Sequence, residues 1–193
     1  MTDPKVFYRE LDALLAMIRI EEKGEQFLPT ILQALADKFQ QRLHIADGRY
    51  YVLLDDLFVL SYPEEGTKEH GYVEELPIES EVVQLASRNR SYIYDSEFLN
   101  SQFYVLAQPS LQSHAAIWVH SPERQWLVVF ALNDGWEREE INLFLNSVRT
   151  SLNYRFFSDA IGVRLEQAVE IQKSLLPQKS PKLSDYDIAG FSQ

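Results

Sequence analysis

The residues best suited to chemistry are few and scattered. His44, His70, His114 and His120 are the four histidines, and none has the Glu-x-x-His or His-x-x-His spacing that sets two ligands on one helix face. His114 and His120 flank an apolar segment, so one of them can face a pocket. Hydrogen-bonded or exposed imidazoles are the simpler account of all four. Asp55 and Asp56 resemble an acid–base pair, but adjacent residues in a hairpin project to different sides, which fits a turn instead. The run "EREE" at 137–140 suits the start of a helix, where acidic side chains meet the positive end of the dipole. There is no Gly-x-Ser-x-Gly nucleophile motif, and Gly48, Gly66 and Gly71 are isolated rather than grouped as a phosphate loop. The chain has no cysteine, which removes disulfides, thiolate ligands, a thiol nucleophile and any cysteine-attached cofactor. No catalytic residue and no metal site is assigned.

Aromatic side chains are the other resource. Tyr62, Tyr72, Tyr92, Tyr94, Phe98, Phe103, Tyr104 and Trp118 either line a small-molecule pocket or fill a core. The pocket candidates carried forward are Tyr62, Tyr92, Tyr94, Phe103 and Trp118. A net charge of −11 argues against nucleic acid, because phosphate neutralisation needs clustered Lys and Arg, and against an anionic membrane surface. The opening residues lack a signal peptide's basic-then-apolar pattern. The longest apolar run, "WLVVFAL", is too short to span a bilayer. The expectation is a cytoplasmic protein with a sizeable core, since 46% of its 193 residues are hydrophobic.

Four segments position these residues. In residues 1–24, Phe7, Leu11, Leu14 and Ile18 follow a four–three–four spacing. That seam reads either as a dimerising coiled coil or as a helix lying on its own domain. Residues 25–155 read as α+β with an antiparallel sheet. An amphipathic helix over 27–39 carries Pro29 in its first turn. "GRYYVLL" and "DLFVL" pair across Asp55–Asp56. A helix follows with Ser80 as N-cap, then the short strand "SYIYDS" and the hairpin "HAAIWVHSPERQWLVVFAL". From Gly135 a helix of ~40 residues, ~60 Å long, runs to Leu176 and must project. Its seams Ile141, Leu145, Val148, Leu152 and Ile161, Leu165, Ala168, Gln172, Leu175 do not share a heptad register, which implies a stutter near 153–160. The expected result is a homodimer through Phe7, Leu11, Leu14, Ile18, Leu145, Val148, Leu152 and Leu165.

Two resemblances rest on these segments. "FLPTILQALADKF", "GRYYVLLDDLFVL", "ELPIESEVVQLASRNRSYIYDS" ending at Asp95, and the last hairpin with "WEREEINLFLNSV" together resemble a GAF domain. That implies a sensor fold with a small-molecule ligand of unknown identity. The chain "EIQKSLLPQKSPKLSDYDIAGFSQ" resembles the opening of SpoIIE-type serine/threonine phosphatase domains of the PPM class, through Gln172, Leu175, Leu176, Pro177, Pro181 and "YDIAG". It implies a phosphatase domain from residue 178 onward, with Mn²⁺ or Mg²⁺ held by a Gly-Gly-Asp motif that would follow Gln193, and a phosphoprotein substrate. Residues 156–177 then form a coiled-coil linker and switch helix, with Ile171, Gln172, Leu175, Leu176 and Pro177 as its switch positions. On this reading residues 1–193 regulate and dimerise and are not themselves an enzyme. The alternative is a ligand-free module that recruits a partner signalling domain.

Overall fold

The computed structural model describes residues 4–17, 27–63, 71–101, 106, 112–122 and 124–175. Its elements in chain order are α1 (Pro4–Met17), α2 (Phe27–Leu43), β1 (Ile45–Leu54), β2 (Leu57–Tyr62), β3 (Glu75–Pro77), α3 (Glu81–Asn89), β4 (Ser91–Tyr94), α4 (Ser96–Ser101), β5 (Ser113–His120), β6 (Gln125–Leu132) and α5 (Arg138–Leu175). The described strands form one six-stranded sheet in the order β3-β2-β1-β6-β5-β4. Every neighbouring pair is antiparallel.

Local chemistry sets the turns. The β1–β2 register closes at Leu54↔Leu57, so Asp55 and Asp56 form the turn. Asp55 takes φ 54°, a left-handed conformation that Asp tolerates better than most residues. Asp95 caps α4, accepting a 2.8 Å hydrogen bond from the Phe98 amide, as its side-chain reach allows. Ser80 precedes α3 but makes no capping bond; its hydroxyl is buried without a partner. Glu139 and Glu140 occupy the first turn of α5.

The sheet has two apolar faces because its strands alternate. On one, Tyr50, Val52, Ile117, Val119, Trp126, Val128 and Phe130 pack with α1, α2 and α5. On the other, Tyr51, Phe58, Leu76, Tyr94, Ala116, Trp118 and Val129 pack with α3, α4 and Leu106. Gly48 brings α2 close: a Cβ there would meet Phe130 at 3.2 Å and Leu32 at 3.3 Å, so a side chain would push helix and sheet apart.

The first face corrects the expected dimer contacts. Phe7, Leu11, Leu145, Val148 and Leu152 are all buried in the chain's own core, at 0–2% exposure. Phe7 meets Phe39 and Phe144 at ring separations of 5.3 and 6.3 Å. Leu14 is partly buried against the same cluster, and Ile18 lies outside the described residues. The seams of α1 and of the first half of α5 therefore pack on the sheet and α2, which leaves those side chains closed to a partner helix. Leu165, in contrast, is 62% exposed. α5 runs unbroken through Gly162 for 38 residues, about 57 Å, and every residue from Ile161 to Leu175 is exposed. Ile171, Gln172 and Leu175 sit on that projecting part; Leu176 and Pro177 lie outside the described residues. Among the described residues no helix is long and apolar enough to cross a membrane.

Candidate functional site

Three polar side chains stand on the α3–α4 face of β1 at every second position: Asp47, Arg49 and Tyr51. Their partners on β6 are Ala131, Val129 and Leu127, and those on β5 are His114, Ala116 and Trp118. One row across the sheet is thus Asp47–Ala131–His114, and another is Tyr51–Leu127–Trp118. Ala131 and Ala116 keep the floor between these groups low.

Arg49 is the centre of the cluster. Its guanidinium has no solvent exposure. Nη1 donates to Asp47 Oδ1 at 3.1 Å, Nη2 donates to the Leu106 carbonyl at 3.1 Å, and the group lies 4.3 Å from the centre of the Tyr72 ring. Its Nε and the Tyr51 Oη are buried without a hydrogen-bond partner. The guanidinium and the phenol lie close enough to interact with each other, but the contact leaves both of these atoms without a well-aligned partner. Burial works against the Arg49 charge, yet the neighbouring Tyr51 oxygen and the Asp47 carboxylate outweigh it and raise its pKa. Burial also raises the pKa of Tyr51, and burial together with Asp47 raises that of Tyr72.

His114 completes the row opposite Asp47. Burial, and secondarily the positive charge of Arg49, lower its pKa to about 3, so the ring is neutral. Nδ1 lies 3.0 Å from the Gln112 carbonyl. A carbonyl only accepts, so Nδ1 carries the proton and Nε2 keeps its lone pair. The cluster therefore offers a fixed cation, a phenol donor and a neutral imidazole on one buried face. Among the described residues no group of three His, Cys, Asp or Glu side chains is placed to hold a metal ion.

The aromatic candidates divide between the faces. Tyr92, Tyr94 and Trp118 share the Arg49 face. Tyr94 donates to the Val82 carbonyl and lies 5.0 Å from the Tyr92 ring; Trp118 stands edge-on to Phe58 at 5.0 Å. Tyr62 does not join them. It stacks on Tyr50 at 6.1 Å on the α2–α5 face, because the β1–β2 register shifts between Tyr50 and Tyr51 and turns it over. Phe103 and Tyr104 lie outside the described residues. Asp47, Arg49 and Tyr51 escaped the sequence analysis, although polar residues at period two in an otherwise apolar strand were the available signal.

No family profile and no curated protein matches the sequence. Solved structures match by fold. Free methionine-R-sulfoxide reductase from Neisseria meningitidis, in complex with its substrate, superposes with a TM-score of 0.56 at 18% identity, over 81% of this chain and 92% of that one. The reduced enzyme from Staphylococcus aureus gives 0.54 at 15% identity, over 81% and 96%. These are enzymes with a GAF-like fold. The fold of this chain is GAF-like. A GAF domain of a sensor histidine kinase from Bacillus halodurans also matches, with a TM-score of 0.47 at 18% identity over 73% of this chain and 94% of its own.

One expectation changes with these findings. Residues 1–193 were read as a regulatory module that is not itself an enzyme. The GAF-like structures they superpose on are enzymes, so that exclusion does not hold: this fold accommodates a catalyst. Function must be argued from the site rather than from the fold.

Proposed function

We propose that this chain is a GAF-like sensor or regulatory module that encloses a small acceptor-bearing molecule, a carboxylate or similar oxygen ligand, against the Arg49–Tyr51 face. One observation carries this reading: a fully buried guanidinium whose Nε, beside the Tyr51 hydroxyl, has no acceptor. A buried donor left unmet costs about 1–3 kcal/mol, and a ligand oxygen would offset that. Tyr72 over the guanidinium and the neutral His114 add a flat wall and a further acceptor. Support also comes from the similar structures, one of which holds its substrate in this fold. Chemistry on a bound molecule would fall to tyrosine, histidine and aspartate, since the chain has no thiol.

The output runs along α5, which joins the sheet's core to the segment resembling the opening of a SpoIIE-type phosphatase. In this proposal ligand occupancy sets the activity of such a domain on a phosphoprotein.

The test is a thermal-shift panel of small carboxylates and amino-acid derivatives, beginning with free methionine-R-sulfoxide, together with native mass spectrometry. A ligand of the expected class raises the melting temperature of the wild type. Tyr51→Phe folds with basal stability changed by no more than about 1 kcal/mol, because its hydroxyl has only the poorly aligned Arg49 contact, yet responds less to that ligand. Arg49→Met folds and does not respond. A ligand response that survives both changes, or bare protein with no response anywhere in the panel, overturns the reading.

A further inference from the structure

The second half of α5 carries an apolar stripe that no other element among the described residues covers. Tyr154 is 76% exposed, Phe157 54%, Ile161 43%, Leu165 62% and Leu175 78%. At 3.6 residues per turn, these side chains, with Ala168 and Gln172, fall on one side of the helix. Leu145, Val148, Leu152 and Phe156, which face the core, fall roughly half a turn away. The stripe therefore looks away from the globular part, where another molecule can reach it. A lone projecting helix of this length is marginal in water, and Gly162 weakens it further.

From this stripe we infer that α5 pairs with α5 of a second copy, parallel and in register, along the face from Tyr154 to Leu175. Three observations choose this occupant. The first is size. Each exposed aliphatic side chain offers ~100 Å² and each aromatic ~150 Å², so the stripe with its flanks Val169 and Ile171 presents ~800 Å². That is about what one partner contributes to a standard specific interface.

The second is self-complementarity. Tyr154 protrudes at the rim of a groove of about 370 Å³ that it lines together with Phe27, Ile31, Thr150, Ser151 and Arg155. A two-fold interface needs a knob and a matching hole on one surface, and this surface has both. The third is Gln172. Spacings of four, three and four from Ile161 place it at a core position of the seam, three residues before Leu175. In a parallel, in-register pair its amide meets its own copy and the two hydrogen-bond; in an antiparallel pair it faces an apolar side chain and loses that partner. A single polar core residue fixes register in this way.

The absence of cysteine makes the test direct. Leu165→Cys and Gln172→Cys are prepared singly in the whole chain, with Lys173→Cys, one position off the seam, as control. Under mild oxidation the first two should each form interchain disulfides, at least about ten-fold faster than the control. In sedimentation the wild type should be a dimer at tens of micromolar, and Leu165→Asp should weaken that dimer at least about ten-fold with the sheet's thermal unfolding unchanged. Crosslinking of Gln172→Cys to a further variant, Ile161→Cys, but not to itself, in a mixture of the two single-cysteine chains, would overturn the parallel arrangement. A wild type that is monomeric at that concentration, or a dimer indifferent to Leu165→Asp, would overturn the interface.

Discussion

The two halves of α5 carry the same kind of sequence and meet opposite fates. Ile141, Leu145, Val148 and Leu152 repeat at three- and four-residue spacing, and so do Ile161, Leu165, Ala168, Gln172 and Leu175. The first set is buried on the sheet; in the second, Ile161, Leu165 and Leu175 are 43–78% exposed. The mismatch of register between them reads as a coiled-coil stutter in the sequence. In three dimensions it is a change of face, from a stripe turned toward the core to one turned away from it. An apolar seam states that something must cover it, while the neighbouring elements decide what.

The comparison breaks first where the core is densest. Leu145→Ala should cost 2–5 kcal/mol of unfolding free energy, about the range for emptying a buried leucine site, read by denaturant melts with the slope checked for constancy. An effect below about 1 kcal/mol would mean that the first half of α5 is not anchored as described.

Acid should separate the halves next. The folded state holds His114 neutral with a pKa near 3, while the unfolded chain titrates near the ordinary value of about 6.5. Between those values the unfolded state binds the extra proton. Stability is therefore full above about pH 6.5 and falls as pH is lowered, by up to about 1.4 kcal/mol per pH unit from this residue. The loss strikes the sheet and the core-facing half of α5. His114→Gln should flatten the wild-type profile between pH 6.5 and pH 4.5 in paired melts; identical profiles would show that the imidazole is not held neutral by burial.

Smaller changes sharpen the contrast at the projecting end. A Cβ at Gly162 meets nothing within 4 Å, so Gly162→Ala should raise helix stability by about 1 kcal/mol or less, seen as added helicity by circular dichroism at moderate temperature. A loss of helicity would point to a contact at that position. Smallest of all, Leu165→Ala at concentrations low enough to keep the chain monomeric should change the unfolding free energy by no more than about 0.5 kcal/mol, in contrast to the same substitution at position 145.

Much of the fold was legible because it depends on short-range rules. The apolar period of α2 (Phe27, Leu28, Ile31, Leu32, Leu35, Phe39), the Asp55–Asp56 turn, the hairpin from His114 to Leu132 and the length of α5 follow from spacing, turn chemistry and the lack of helix breakers. The candidate site was legible only in part. Of the pocket candidates, Tyr92, Tyr94 and Trp118 lie on one face, but Tyr62 is turned to the other by a register shift that no local residue announces. Arg49 was visible as one of three polar residues at period two in β1, but its burial was not, because a single arginine in a strand normally reaches solvent.

By itself the sequence determined the order of the main helices and strands, the absence of thiol chemistry and the length of the last helix. These depend on residue type and on intervals of two to four residues. The tertiary structure alone decided which stripe of α5 is buried, which face Tyr62 joins, and that Asp47, Arg49, Tyr51, Tyr72 and His114 gather at one place. Each of those depends on pairing between separate elements of the chain, where a one-residue shift in a strand or half a turn of a helix exchanges inside for outside.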